Sequence, residues 1–269
     1  MQIAIIGCGW LGFPLAKHLI QQGHQVKGST TTAEKLPLLR QAGITAQHLV
    51  LGIEKNEDLP AFLKNCALLI INIPPGRRDS KVEERHPKQI QNLLQAATLA
   101  GVRHVIFISS TGVYGNENRV VTEAEATKPE RASGKALVAI EAYLNELKPI
   151  QSTVLRLAGL VGGKRKAGHF LAAKKNVTNG SAPVNMVHRE DCIQVITEII
   201  KQDKWGETYN VCADEHPTRH DFYIHQAQKQ GLEPPTFVPN IEPSFKIVSN
   251  EKLKRHLNYQ LVYPDPMQF

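Results

Sequence analysis

The sequence has few cysteines and no long apolar run. Only four of its 269 residues are cysteine, and none forms a C-x-x-C pair, which excludes a disulfide scaffold and argues against zinc or thioredoxin-like chemistry. We therefore predict no metal site. Apolar runs such as Ala67–Ile71 are far too short to span a bilayer. The first residues, MQIAIIG, lack the basic and long apolar regions of a signal peptide, so we expect a cytoplasmic protein with reduced thiols.

Extremes of composition are also absent. Hydrophobic residues make up 42% and charged residues 21% of the chain, which excludes a disordered, collagen-like or coiled-coil protein. The net charge of +7 permits an anionic partner. Because no basic helix and no aromatic platform accompany that charge, we expect a small-molecule substrate, and neither nucleic acid nor membrane as a partner.

What the sequence does contain is an alternation of short apolar runs and amphipathic helical patterns. The predicted strands are Gln2–Ile6, Gln25–Gly28, Thr45–Leu51, Ala67–Ile73, His104–Ser109 and Thr153–Leu157. The predicted helices are Leu11–Gln22, Thr32–Gln41, Ser80–Ala100 and Arg131–Leu147. This alternation predicts an α/β protein with a Rossmann-type, doubly wound parallel sheet.

The pattern changes after Gly162, where a glycine-rich basic loop begins. Beyond it the sequence predicts helices over Arg189–Lys201, Thr218–Gln230 and Asn250–His256, and a strand over Glu207–Cys212. We therefore predict a dinucleotide-binding core over residues 1–162, to which 185–213 returns. Residues 163–269 are predicted to form a small, interleaved C-terminal substrate lobe.

The motif Gly7-Cys8-Gly9-Trp10-Leu11-Gly12 lies between the first predicted strand and helix. In that context Gly7 allows a tight turn, Gly9 lets the backbone approach a pyrophosphate, and Gly12 lets the helix pack closely on the strand. The pyrophosphate would rest on free amides at the helix N-terminus, with Trp10 and Leu11 in the same loop. Trp10 either covers part of the dinucleotide or packs in the interior.

The segment at the end of the second predicted strand informs the choice of cofactor. The second strand is followed by hydroxyls on Ser29, Thr30 and Thr31 and by the charge of Lys35, with no carboxylate at the strand end. An acid there would select NAD by bonding the ribose 2′-hydroxyl, so these residues favour NADP. The alternative is that the threonines cap the next helix.

The fourth predicted strand ends at the sheet edge where ligands bind in such folds. Its last residues and the turn that follows include Asn72, Ile73 and Pro74, which we assign to cofactor contact. The alternative is a rigid turn without a ligand.

Several segments resemble the extended short-chain dehydrogenase/reductases, the family that includes nucleotide-sugar epimerases and dehydratases. They are the glycine motif, Ile108–Gly115 (ISSTGVYG), Leu155–Gly162, Val184–Asp191, Tyr209–Val211 and Val248–Leu253. The resemblance covers most of the chain and is strongest to an atypical, YeeZ-like subgroup described as NAD-dependent epimerase/dehydratase-like. In that family a homodimer through two long helices is common.

The resemblance implies roles for two candidate catalytic residues, Ser110 and Lys135. Ser110 would hydrogen-bond the substrate oxygen, with Ser109 beside it at the cofactor, and Lys135 would bind the nicotinamide ribose. The family's Y-x-x-x-K pair supplies an acid/base tyrosine, but Arg131 stands at that position here. Because arginine does not exchange a proton at neutral pH, the usual proton route is broken.

Three interpretations follow from Arg131. Tyr114 could replace the missing acid, the substrate could need only hydride transfer with electrostatic help, or the protein could bind the dinucleotide without turnover. We predict an NADP-dependent oxidoreductase or epimerase-like enzyme acting on a small carbonyl or nucleotide-linked substrate. The alternatives are a non-catalytic NADP(H)-binding sensor and a partner-binding scaffold that retains the fold.

Overall fold

The computed structural model describes residues 1–54, 56–76, 79–239 and 242–269. Within these residues the strands are β1 Gln2–Ile6, β2 Gln25–Thr30, β3 Thr45–His48, β4 Leu68–Ile71, β5 His104–Ser110, β6 Val120–Val121, β7 Gln151–Leu157, β8 Gly159–Val161, β9 Met186–His188, β10 Thr208–Val211 and β11 Ile247–Val248. The helices are α1 Gly12–Gln21, α2 Leu36–Gln41, α3 Leu59–Leu63, α4 Val82–Leu99, α5 Ala132–Glu146, α6 Gly168–Leu171, α7 Arg189–Lys201, α8 Arg219–Lys229 and α9 Glu251–Leu257.

The main sheet has seven strands in the order β10-β7-β5-β4-β1-β2-β3. The pairs between neighbouring strands from β3 to β5 are parallel. The strand order runs outward in both directions from β1 and β4, which is the doubly wound arrangement. The predicted Rossmann-type fold is therefore confirmed, and the predicted strand over Glu207–Cys212 is present as the edge strand β10.

The switch of direction between β1 and β4 positions the site. Ile3 to Ile6 of β1 lie beside Leu68 to Ile71 of β4 in register, so both strands end at the same level. The glycine motif follows β1 and Asn72 follows β4. Ligands of open α/β sheets bind outside the carboxyl ends of the strands at such a switch.

Two predicted boundaries were wrong in ways that matter for the site. β2 continues beyond Gly28 because Ser29 and Thr30 still pair with β3, Thr30 lying opposite His48. β3 in turn ends at His48, three residues before its predicted end. Two residues predicted to face a ligand are therefore part of a strand.

The predicted helix over 32–41 is divided. Ala33–Lys35 forms a short 3-10 helix, and α2 begins only at Leu36, with a proline in its first turn where the missing N–H costs nothing. The elements that the sequence did not predict have two to five residues each, too few for a periodic pattern. They are α3, α6, β6, β8, β9 and β11.

The chain divides into two compact units. The first consists of Met1–Val113, Pro129–Leu155 and Ile199–Thr208, and the second of Tyr114–Lys128, Arg156–Glu198 and Tyr209–Phe269. The first unit contains the fully buried residues Ile3, Ile5, Leu15, Leu68 and Phe107. The second has its own cluster of Val161, Ala167, Val184, Met186 and Phe222. This division differs from the predicted boundary at residue 162, because 114–128 and 156–162 pack with the second unit.

Candidate functional site

The glycine motif forms a tight loop between β1 and α1. Gly7 has a φ of +100°, and a Cβ there would lie 2.5 Å from the carbonyl oxygen of Asn72. A Cβ at Gly12 would collide with the Gly7 carbonyl oxygen. The two outer glycines are therefore required by the packing of the loop against α1 and the segment after β4.

The middle glycine is different. A Cβ at Gly9 would meet nothing within 4 Å, so the backbone there borders open space. Helix α1 starts at Gly12, and no side chain caps its N-terminus. An open backbone at an uncapped helix N-terminus fits the pyrophosphate of a dinucleotide, because free amides and the positive end of the helix dipole both favour an anion.

Ser29 supports this loop from within the fold. Its hydroxyl accepts a hydrogen bond from the Gly7 amide at 3.1 Å, and its carbonyl accepts one from the Cys8 amide at 2.8 Å. The side chain is 2% exposed. The structure thus places Ser29 as a support of the glycine loop, whereas the sequence predicted contact with a 2′-phosphate.

Thr30 is also turned away from solvent. It is 8% exposed, and its hydroxyl accepts the Thr32 amide at 3.2 Å. The alternative that the threonines cap the next helix is wrong, since no side chain caps the N-terminus of the 3-10 helix Ala33–Lys35 or of α2. Thr31 and Lys35, in contrast, are exposed. Only these two of the four residues predicted to select NADP present exposed side chains.

Asn72 links the segment after β4 to the glycine motif. Its side-chain amide donates to the Gly7 carbonyl at 3.0 Å, and its backbone amide donates to Ile6 at 2.9 Å. Ile73 is half-buried and Pro74 is exposed. The predicted cofactor segment therefore lies against the glycine loop, with Asn72 holding it there.

The other residues of the motif fill the loop. Leu11 is 3% exposed, and Trp10 is half-buried. Cys8 is buried, and burial raises the pKa of its thiol to about 12. Cys8 therefore stays protonated at neutral pH and supplies no nucleophile.

The consecutive serines at the end of β5 face different surroundings. Ser109 is 4% exposed, and its hydroxyl donates to the carboxylate of Glu141 on α5 at 2.5 Å. Ser110 is half-buried, and its oxygen accepts the Gly112 amide at 3.1 Å. Ser110 thus accepts a local backbone hydrogen bond at the end of β5, whereas Ser109 faces the interior.

Lys135 lies on the exposed side of α5. Its ammonium is 3.6 Å from the carboxylate of Glu83 on α4, and both side chains are about half exposed. Such a pair is weak in water, so it leaves Lys135 free to exchange partners. Arg131 caps the start of α5 in an extended conformation and is exposed.

Tyr114 belongs to the second unit and is buried there, with 2% exposure. Its hydroxyl donates to the side chain of Asn210 at 2.8 Å and accepts from Arg156 at 2.6 Å. Burial raises the pKa of Tyr114, and the neighbouring Arg156 offsets part of that rise. This geometry contradicts the predicted role of Tyr114 as proton donor, since a buried phenol with both hydrogen bonds made has no access to a substrate.

Glu141 and His48 were not predicted from the sequence. Glu141 lies 32 residues from its partner Ser109. His48 is exposed at the end of β3, and its Nε2 lies 3.3 Å from the Thr31 carbonyl.

In the part of the chain that the structure describes, no helix is long and apolar enough to cross a membrane. The same residues contain no group of three or more His, Cys, Asp or Glu side chains that could hold a metal ion.

Comparison with known proteins gives relatives over the full chain. A family model described as NAD(P)H-binding matches residues 7–203. Protein YeeZ from Escherichia coli strain K12 is 37% identical over 270 residues, which cover 99% of this chain and 97% of YeeZ.

Solved structures share the fold at lower identity. A UDP-glucuronic acid 4-epimerase from Bacillus cereus, in complex with NAD, is 19% identical with a TM-score of 0.83, and the match covers 100% of this chain and 94% of the epimerase. A UDP-glucose 4-epimerase from Stenotrophomonas maltophila, with bound NAD and formylated UDP-arabinopyranose, is 17% identical with a TM-score of 0.84, covering 99% and 95%. At these identities the match establishes a common fold.

Proposed function

The chain belongs to the NAD(P)H-binding family of extended short-chain dehydrogenase/reductase-like proteins, and on that premise we propose that it is an NADP(H)-dependent oxidoreductase or epimerase-like enzyme. Its substrate would be a small carbonyl compound or a nucleotide-linked sugar. The observation that carries the proposal is the open backbone at Gly9 between the closely packed Gly7 and Gly12. Nothing in the interior of the fold needs a glycine at position 9, but a pyrophosphate approaching the backbone does.

The residues around this loop would hold the dinucleotide. The backbone amides between Gly9 and Gly12 would bind the pyrophosphate, since the Phe13 amide already donates to the Gly9 carbonyl, and Asn72 would keep the loop in place through Gly7. Thr31 and Lys35 would face the adenosine ribose and its 2′-phosphate. When bound, the nicotinamide supplies hydride transfer.

Ser110 is the residue proposed to contact the substrate. Its hydroxyl, oriented by the Gly112 amide, would donate to a carbonyl oxygen and stabilise the charge that develops there. Lys135 would exchange Glu83 for the nicotinamide ribose. With Arg131 at the tyrosine position and Tyr114 buried, we propose that the proton comes from water, which restricts the enzyme to substrates that need little acid assistance.

A second candidate function is NADP(H) binding without turnover, as in a sensor. Two observations favour it: Arg131 cannot donate a proton, and Tyr114 is committed to Asn210 and Arg156. A binding protein would keep the glycine loop and lose only the acid/base group.

Turnover separates the two candidates. We expect turnover of at least one member of a panel of carbonyl compounds and UDP-sugars, detected as NADPH oxidation with the carbonyl compounds and as formation of a new sugar product, with NADP(H) bound, from the UDP-sugars. Ser110→Ala should lower kcat/KM about 100-fold, the usual cost of losing one donor to a developing oxyanion, and leave NADPH affinity unchanged. Ser181→Ala, an exposed serine of the second unit, is the control and should have wild-type activity. Tight NADPH binding with neither NADPH oxidation nor a new sugar product across the panel would instead support the sensor.

A further inference from the structure

We propose that His48 determines the cofactor preference of this protein by contacting the 2′-phosphate of NADPH. The inference rests on the proposed function, because it assumes that a dinucleotide occupies the glycine loop. The inference adds a residue of β3 to the residues predicted to select NADP, which all lie between Ser29 and Lys35.

The side chains at the end of β2 are not placed to contact a 2′-phosphate. The Ser29 hydroxyl accepts the Gly7 amide inside the glycine loop, and the Thr30 hydroxyl accepts the Thr32 amide and donates to the Thr32 carbonyl at 3.5 Å. Both residues are buried. A 2′-phosphate at this sheet edge would therefore meet groups from other positions.

His48 is one of these groups. It pairs with Thr30 in the β2–β3 register, so it ends its strand at the level where β2 ends. Its side chain is exposed and reaches the Thr31 carbonyl, where Nε2 lies at 3.3 Å. The imidazole thus lies beside the exposed Thr31, at the carboxyl edge where the adenosine half of a dinucleotide binds in this fold.

The charges that follow Thr31 do not by themselves decide between NADPH and NADH. Lys35 and Glu34 are both exposed on the 3-10 helix that follows Thr31. A carboxylate favours a ribose 2′-hydroxyl, while donors such as lysine and imidazole N–H favour a phosphate. With one charge of each sign from Lys35 and Glu34, the imidazole N–H, on turning from the Thr31 carbonyl to the phosphate, would supply the additional donor that favours NADPH over NADH.

Titration calorimetry of the full chain with NADPH and with NADH tests this. We expect the wild type to bind NADPH more tightly. His48→Ala should weaken NADPH about tenfold, the equivalent of one hydrogen bond to a charged group, and change NADH less than about twofold. His48→Phe, which keeps a flat ring but has no N–H to donate, should lose NADPH preference similarly, and it serves if the alanine variant disturbs the turn. His24→Ala is the control, a half-buried histidine just before β2, at the opposite end of the strand.

The outcomes separate this inference from the function on which it rests. Wild-type preference for NADPH that persists in both His48 variants would overturn the role of His48 and leave the proposed function standing. Preference of the wild type for NADH would overturn the inference and the choice of NADP while retaining dinucleotide binding. Binding of neither dinucleotide would overturn both.

Discussion

Individual residues of the glycine motif have separate tasks. Gly7 needs its positive φ and the space beside Asn72, and Gly12 needs the space beside the Gly7 carbonyl. Gly9 has neither constraint, so the lack of a side chain there leaves space for a ligand that approaches the loop from outside. A sequence motif in which every glycine looks equivalent therefore resolves into two structural positions and one binding position.

This difference gives a prediction for Gly9→Ala. The new methyl group meets no protein atom, so the midpoint of thermal unfolding should stay within about 2 °C of wild type, a shift of less than about 1 kcal/mol. The methyl would nevertheless occupy the space of the pyrophosphate and should weaken NADPH binding by about 10- to 100-fold. Gly52→Ala is the matched control, since its Cβ would lie 3.7 Å from its nearest neighbour, the amide of Glu54. Wild-type affinity in Gly9→Ala would contradict the proposed site.

At the scale of elements, the sequence predicted which strands and helices exist better than how they face each other. The glycine loop and Asn72 were both placed at the carboxyl edge, and they do meet there, because β1 and β4 are parallel and in register. The presence of these strands and their succession along the chain follow from local apolar runs and turn residues, whereas the ends of β2 and β3 were predicted wrongly.

The facing of side chains does not follow from such local signals. β5 is buried on both faces, so its residues do not alternate between apolar and polar, and nothing in the sequence tells which of Ser109 and Ser110 points to α5. The contact of Ser109 with Glu141 depends on how α5 packs on β5. The contact of His48 with Thr31 depends likewise on the β2–β3 register.

The hydrogen bond between Ser109 of β5 and Glu141 of α5 is testable through Ser109→Ala. The substitution removes a hydrogen bond to a buried carboxylate, so we expect the free energy of unfolding to fall by about 1–3 kcal/mol in urea denaturation. In the background of Glu141→Gln the same serine substitution should cost less, since the bond no longer involves a charge. Equal costs in the two backgrounds would show that the bond is not the source of the stability.

At the scale of the whole molecule, the cysteine thiols share the same surroundings and the same direction of pKa change. All four cysteines are buried and free: Cys8, Cys66, Cys192 and Cys212. Burial raises the pKa of every one of them, because the thiolate is poorly solvated inside the protein. The Cys8 and Cys212 thiols are each raised from 9.0 to about 12. The folded protein thus keeps protons that the unfolded chain releases.

This sets the direction of an alkaline transition. Below pH 9 both states hold the thiol protons, and between pH 9 and about 12 only the folded state does, so the free energy of unfolding falls as pH rises. For a single buried thiol the loss at pH 10 relative to pH 8 is about 1.4 kcal/mol. We therefore expect urea denaturation to show that the free energy of unfolding falls between pH 8 and pH 10 in both proteins. The fall should be smaller in Cys212→Ala than in the wild type by about this amount. Because tyrosines with raised pKa values titrate in both proteins, the difference between the two decreases isolates the thiol. An identical decrease would mean that the Cys212 thiol ionises equally in the folded and unfolded states.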